Sequence, residues 1–599
     1  MVGVQETLFS FEDTLKQKAD IQKEFNNVMV TAQWDNLKDT MLKIMGSNII
    51  AIDTETTGLD FSEDYVRLLQ VKIDNDEVFI FDFFDYDDEQ KRYIVNILLN
   101  YTNGILVFHN AIFDLSMLYP YAHIKRTDFK LFDTQVAEKI IDCGLNRKGF
   151  SLEDLCNKYL NIKLDKSEQT GNWLIKKLSI DQVRYAKKDV EVTYELYGIL
   201  KNKLEQMGLT KAFNIDINCI PTIVRCIKDG IYLDFNDWEL IAQQLQFEYD
   251  KLEDQILIML DRHINLNSPI QLKEVLQDLN LGIKVETTGK DFLDTIKDRH
   301  PVLPLLIEYK TISKKLTSFG KEYQKYKSSK DNRLHPKYNL IGTATGRFSC
   351  NNPNIQQVPR EKNYRKCFKA QEDGGVLIKA DYSQIELRIA THLSQDPVML
   401  KAYELGEDLH TLSASKLLGV PKEQVTKEQR YQAKSFNFGF LYSMGAESFK
   451  DYAKTNFGLE ITLGKAEIFK KRFFETYRGL KDWHSKLSRK DYSVTLGGRI
   501  RRYDKDYITG ELYNTPVQGT GADILKVALF NIFKTLLCSE LRSVKIVAIV
   551  HDEIVLECKE TDSERISREL KNCMMEAWYQ FIADVKIDVD ITIGKSWGG

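Results

Sequence analysis

At 599 residues the chain exceeds what one hydrophobic core can organise, and it is expected to divide into roughly three to five packed units. Hydrophobic residues at 43%, charged residues at 28% and 11 prolines exclude a disordered or fibrous chain, and nine cysteines with no Cys-x-x-Cys pair suggest neither a disulfide framework nor structural zinc. A net charge of −4 does not exclude a nucleic-acid partner, because charge can be segregated by surface.

Along the chain, 48–82 alternates short β-rich runs (NIIAIDTET, VRLLQVKID, EVFIFDF) with polar turns, and 151–206 reads as helical. A new unit begins around 211–234, which places a boundary near 205. Residues 235–330 read as helix broken by the turn chemistry of NSP at 267–269. That stretch ends in a lysine run, Lys310, Lys314, Lys315, Lys321, Lys325, Lys327 and Lys330 against Glu322 alone, which suits phosphate contact. A Gly/Thr/Asn-rich segment, a strand and a long helical region follow, then the β-rich runs KIVAIVHDEIVLECK and VKIDVDITIG. The expected class is an α/β and α+β multidomain protein whose last sheet joins distant pieces. No apolar run of about 18 residues is present, and acids stand where a signal peptide is basic, so a reducing interior is expected: the cytoplasm of a bacterial or phage-infected cell, with an organelle left open.

The first constellation is carboxylic. Asp53 and Glu55 lie two apart at the end of an apolar run, so both leave one face of a strand. HNAIFD supplies Asn110 and Asp114, and YAKKD supplies Tyr185 and Asp189; the i, i+4 spacing predicts that each pair shares a helix face. Four carboxylates without His or Cys suit Mg²⁺ or Mn²⁺, and a pair of such ions can activate a water against a phosphodiester. Tyr185 is expected to orient that water. Asp133, in LFDTQVAEKI, reads as a helix cap and, with equal weight, resembles an acid of a known nuclease family.

The second constellation is spread over some 200 residues. VLIKADYSQIELR is a buried β run ending at Asp381, with a turn into a helix carrying Glu386. IVAIVHDEIVLE places His551, Asp552 and Glu553 at or near a tight hairpin bend, so that Asp381 and Asp552 could hold two Mg²⁺ ions from adjacent strand ends. Arg430, Lys434, Phe438 and Tyr442 repeat at i+4 and drift only ~40° per step, which makes one helix stripe of two cations and two aromatics. Cations fit triphosphate oxygens, and aromatics fit a nucleobase face. Arg347 is placed to reach a primer terminus, and Asn514 and Gln518 carry amides suited to minor-groove acceptors.

The D-x-E, N-x-x-x-D and Y-x-x-x-D set resembles the DnaQ-like proofreading exonucleases of RNase H-like fold. DYSQIELR, R-x-x-x-K-x-x-x-F-x-x-x-Y and VHDE resemble motifs A, B and C of the family A DNA polymerases typified by bacterial DNA polymerase I. The likeness runs from about Asn48 to the final GKSWGG. It implies an exonuclease domain followed by a right-hand polymerase: a tail at 1–30, the exonuclease at 31–205, palm from 206 to 240, thumb at 241–334, palm at 335–395, fingers at 396–510 and palm at 511–599. It further implies Asp53, Glu55, Asp114 and Asp189 as ligands of one metal pair, and Asp381, Tyr382 and Asp552 as ligands of another. Arg430 and Lys434 fall on the triphosphate, Phe438 on the incoming nucleotide, and Tyr382, Gln384 and His410 beside it. Glu386 becomes the gate against a ribose 2′-hydroxyl, and Tyr442 closes the helix over the template. Primer-template DNA is the implied partner, met by Arg347, Asn514, Gln518, His551, Lys314 and Lys315, with dNTPs as substrate and a single-stranded 3′ end passing Asn110.

Departures from the pattern carry expectations of their own. The stretch ahead of Asp53 is too short for the family's 5′ flap nuclease, Ser443 stands where Gly is usual and is expected to stiffen the helix end, and Gly510 with a shortened loop before Asn514 is expected to weaken the primer grip. A single-subunit RNA polymerase shares the palm acids, but Glu386 and Phe438 favour a deoxyribose substrate; a stand-alone nuclease has no use for both Asp381 and Asp552. The tail QETLFSF, expected to be mobile, resembles the short peptide that docks bacterial replication proteins on a sliding clamp, with Gln5 as polar contact and Leu8 and Phe9 as anchors.

Overall fold

The apolar run around IIAIDTET becomes the middle strand of a sheet, because its buried positions on both faces need cover on both sides. The structure, a computed structural model, describes residues 28–599 except 75, 146–148, 170, 505–506, 508 and 539–542. The run forms β1 (Ile49–Thr56), followed by β2 (Val66–Ile73), β3 (Val78–Asp82), β4 (Ile105–Phe108), α1 (Ala111–Leu118), β5 (Leu131–Asp133), α2 (Thr134–Ile141) and α3 (Ile180–Gln206). The sheet order is β3-β2-β1-β4-β5. β2 lies antiparallel to β1 and β3, and β4 parallel to β1 and β5. Every residue of β2 is buried, and the Arg67 charge that this entails is met by Asp82 at 2.7 Å. α3 packs across β1 and β2, and its start is fixed by a Ser179–Gln182 capping box. The stretch 151–206 is less helical than expected. Its first turn, Leu152–Leu155, runs into a π-turn at Cys156–Leu160 and stops at left-handed Asn161, and the polar DKSEQ segment that follows has no apolar stripe to bury.

The chain forms two compact units. One comprises the residues up to Asp229 with Tyr338–Cys350 and Lys379–Thr592; the other comprises Gly230–Lys337, Asn351–Ile378 and Ile593–Gly599. In the first unit the sequence's later elements are β6 (Gly375–Tyr382, whose second half belongs here), α4 (Ile385–Ser394), α5 (Leu409–Leu418), α6 (Lys427–Leu441), β7 (Tyr492–Val494), β8 (Ile500–Arg502), α7 (Thr509–Ile532), β9 (Lys545–Val550), β10 (Glu553–Lys559), α8 (Ser563–Tyr579) and β11 (Val589–Gly594). The second sheet has the order β9-β10-β6-β11, so it does assemble pieces distant in sequence. α7 packs against α8 and α4.

A fully buried ionic group ties these pieces together. Arg499, between β7 and β8, donates to Asp216 and Asp523 at 3.0 Å each, and Lys526 on α7 pairs with Asp216. The charges balance two against two, which is what makes their burial tolerable.

The second unit is led by helices Phe235–Leu260 and Val302–Phe319, which pack on each other. Its core gathers Phe319, Tyr323, Tyr364 and Phe368 around fully buried Trp238. The NSP turn caps a helix, with Ser268 as N-cap and Pro269 in the first turn. Within the lysine run, Lys314, Lys321, Lys325, Lys327 and Lys330 are exposed, whereas Lys315 is engaged by Glu361 at 2.8 Å. The clamp-like residues Gln5, Leu8 and Phe9 lie outside the described residues.

Candidate active sites

Alternation along β1 sends Asp53 and Glu55 to one face, and the strand register slips just after Glu55, an irregularity beside the acids. Asp189, from α3, completes a set of three whose carboxylate oxygens lie within 4.8 Å of one another. Asp114 is turned instead toward Thr54, whose hydroxyl donates to its Oδ1 at 2.6 Å. The structure therefore brings three of the four acids together and holds the fourth beside them. Burial, then mutual repulsion, drives Asp53 and Glu55 well above the usual carboxylate range. Burial takes Asp114 to about 7, and takes Asp189 to about 6 even though the Tyr185 hydroxyl donates to it. Crowded carboxylate oxygens fit a hard divalent cation.

Asn110 corrects the reading of its motif. It precedes α1 in a left-handed conformation, φ 71°, and is exposed, so it shares no helix face with Asp114. Asp133 explains this turn. Its carboxylate accepts from the backbone N–H of Asn110 (3.2 Å) and Ala111 (2.7 Å) and also caps α2 through Gln135 (2.8 Å) and Val136 (3.0 Å). Its cap role is thus observed, extended to two helix starts at once.

In the second site Asp381 lies one residue from the end of β6. Asp552 lies in the two-residue turn that joins β9 to β10, where Val550 pairs with Glu553. His551 takes the left-handed place in that turn, φ 59°, and is exposed; Glu553 is buried. Since β10 neighbours β6, the two aspartates come from adjacent strands, close enough that the Asp552 charge bears on the Tyr382 hydroxyl. The Tyr382 ring is buried, with its hydroxyl donating to the Met574 carbonyl at 2.7 Å, which leaves its backbone as the part that can face a metal or nucleotide. Alternation along the strand sends it to the face opposite Asp381.

α6 carries the predicted stripe. Arg430, Lys434, Phe438 and Tyr442 are half-buried, while Phe436 and Phe440 are buried against Phe449, Phe469 and Phe473. His410 is buried beside the stripe, its ring 5.8 Å from that of Phe438 and its Nδ1 2.8 Å from the Asn437 amide. Burial lowers it to about 4, so it is neutral at pH 7. Glu386 accepts from Arg347 at 2.7 Å and from the Tyr442 hydroxyl at 2.6 Å. Gln518 accepts from Thr345 at 2.7 Å, and it and Asn514 lie half-buried on α7. Ser443 is left-handed, φ 60°, which is the conformation glycine adopts most easily. At Gly510 an added Cβ would lie 3.4 Å from the Tyr442 carbonyl.

Sequence reading missed Thr54, Asn437 and Asp408. Of these only Asp408 had a local signal, an Asp three residues ahead of Thr411 at a helix start. Among the described residues no helix is long and apolar enough to cross a membrane.

Comparison with known proteins finds a family for each of the two regions that carry these sites. Residues 28–205 match the 3′-5′ exonuclease family model, and 236–599 match that of DNA polymerase family A. DNA polymerase I of Aquifex aeolicus is 31% identical over 590 residues, covering 94% of this chain and 98% of that protein. The Borreliella burgdorferi enzyme of the same name is also 31% identical, over 99% of this chain and 67% of its own length. The POL domain of Pol1 from M. smegmatis, solved in complex with DNA primer-template and dNTP, shares the fold with a TM-score of 0.82 at 23% identity, covering 95% of this chain and 99% of that one. Polymerase and exonuclease domains of these families depend on divalent metal. The chain belongs to DNA polymerase family A and is a DNA-directed DNA polymerase that carries its own 3′→5′ proofreading exonuclease.

Proposed function

We propose that the two carboxylate sites divide the work, with Asp381 and Asp552 serving synthesis and Asp53, Glu55, Asp114 and Asp189 serving excision, each holding two Mg²⁺ ions. The observation that carries this reading is the crowding of Asp53, Glu55 and Asp189 within 4.8 Å, at a distance in sequence from the acids of β6 and the β9–β10 turn. Mg²⁺, when bound, supplies charge neutralisation and acidifies the attacking hydroxyl or water. On the synthetic side Arg430 and Lys434 bind the triphosphate and Phe438 stacks on the base. Glu386 stands against a 2′-hydroxyl, pinned by Arg347 and Tyr442 so that it cannot swing aside. Arg347, Asn514, Gln518 and His551 meet the primer-template, with Lys314 and Lys315 on the duplex backbone. On the excision side Tyr185, fixed to Asp189, orients the water. The palm, thumb and fingers fall within 206–240, 335–395 and 511–599, within 241–334 and within 396–510 respectively. Nine free cysteines, all but Cys538 buried, support work in the cytoplasm.

Asp381→Ala or Asp552→Ala should abolish primer extension and spare single-strand excision, and Asp53→Ala with Glu55→Ala should do the reverse. Loss of both activities in one folded variant would falsify the division. The tail peptide Gln5-Leu8-Phe9 is read as a tether to a sliding clamp, which raises effective concentration at the primer end. Leu8→Ala with Phe9→Ala should shorten products on long templates only with a loaded clamp; unchanged products there, or a lowered unfolding temperature, argue for a structural tail.

A further inference from the structure

Asp408 stands at the foot of α5 and takes five hydrogen bonds on one carboxylate. Oδ2 accepts from the Thr411 amide at 2.8 Å and the Thr411 hydroxyl at 2.7 Å, which is all that capping the helix requires. The other three come from elsewhere in the fold. Arg430 on α6 donates Nε to Oδ2 and Nη2 to Oδ1, both at 2.9 Å, and Gln384, in the turn between β6 and α4, donates Nε2 to Oδ1 at 3.0 Å. Gln384 itself is held in a left-handed conformation, φ 55°, and accepts from Tyr403 at 3.3 Å.

A guanidinium has two edges that can bind an oxyanion in a fork, the Nε–Nη side and the Nη1–Nη2 end. Asp408 engages the side. A carboxylate there leaves the end edge directed away from itself, so it orients the group instead of competing for the anion it is meant to receive. Anchoring matters because an arginine on a half-open helix face otherwise samples many rotamers, and ordering it on binding costs conformational entropy.

We propose that Asp408 is a positioning residue for nucleotide binding, holding Arg430 in the orientation that receives a triphosphate and tying it to the Gln384 turn beside Asp381. This rests on the reading of Arg430 as a triphosphate ligand. The carboxylate is also a joint: one side chain links α5, α6 and the end of the strand that bears a catalytic aspartate, so nucleotide grip and catalytic acid share a common reference.

Single-nucleotide insertion kinetics on a primer-template, with the full-length protein, test the proposal. Arg430→Ala should raise the KM for dNTP. Asp408→Ala should raise it about tenfold with a smaller change in kcat, and in an Arg430→Ala background it should add less than about twofold, since residues acting as a unit are not additive. Asp408→Asn, which keeps a capping oxygen but loses one acceptor and the charge, should raise KM less; it carries the test should the alanine variant not fold. Single-strand exonuclease activity and unfolding temperature report folding in each variant. Wild-type KM in both Asp408 variants beside an impaired Arg430→Ala overturns the positioning role alone. Equal effects of Asp408→Ala in both backgrounds overturn it too, because the carboxylate then acts without Arg430. An unchanged KM in Arg430→Ala itself overturns the triphosphate reading and this proposal with it.

Discussion

The two active sites handle charge in opposite ways. In the exonuclease site three acids crowd within 4.8 Å, and their burial and repulsion raise their pKa values. In the polymerase site the charged neighbours come already paired, Glu386 with Arg347 and Asp408 with Arg430. Among the described residues no side-chain ion pair neutralises Asp53, Glu55 or Asp189, whereas much of the synthetic site is neutralised by its own side chains and organised before any substrate arrives. Isolated buried charge is costly and paired charge much less so, which is why the crowded acids need cations to be held together while the residues around Asp381 and Asp552 are ordered by their own ion pairs.

The largest expected effect breaks the pairing on the synthetic side. Glu386→Ala removes the acceptor shared by Arg347 and Tyr442, and discrimination against ribonucleotides should fall on the order of a hundredfold or more as the space at the 2′ position opens. Competitive incorporation of rNTP against dNTP measures it, with single-strand excision unchanged; undiminished discrimination shows that the gate lies elsewhere.

A smaller effect sharpens the other half. The raised Asp114 and Asp189 bind protons more tightly folded than unfolded, so with a chelator present stability should fall as pH rises from about 4 to about 7, the window in which these two groups lose their protons. The loss attributable to the cluster should be roughly 2 kcal/mol or more. Denaturant unfolding at a series of pH values checks this against Asp53→Asn with Asp189→Asn, which should flatten the slope, as should added Mg²⁺ in the unchanged protein. Parallel slopes in the parent and the double variant would show that the cluster is not strained.

The smallest effect lies where α6 ends. Ser443 holds φ 60° without being glycine, and Ser443→Gly should stabilise the fold by about 1 kcal/mol or less, since relief of the left-handed penalty is partly offset by the freer unfolded chain. Any destabilisation would mean that the serine side chain contributes more than its backbone costs.

What was legible in the sequence were contacts that repeat at a fixed local interval. Asp53 and Glu55 two apart on a strand, Tyr185 one turn before Asp189, and the Arg430-to-Tyr442 stripe all lie where their spacing puts them. The same rule failed for Asn110 and Asp114, because Asn110 takes a left-handed conformation just ahead of the helix that carries Asp114. For Tyr382 the motif located the residue but not the direction of its ring, which strand alternation sends into the core. Thr54 against Asp114 and Arg347 against Glu386 join residues 60 and 39 positions apart, and no local period encodes such partners.

The buried ionic group has a consequence for anyone dissecting the molecule. Asp216 reaches across 283 positions to Arg499, so the helix that follows the exonuclease domain is also part of the foundation under α7 and the Arg499 hairpin. A polymerase fragment trimmed to begin beyond Asn218 would keep both Arg499 and Lys526 in the interior with Asp523 as their sole remaining member of the group, an imbalance of the kind that costs about 3–5 kcal/mol. The natural cut for an exonuclease-free enzyme is therefore upstream of Thr210, where the helix carrying Asp216 begins.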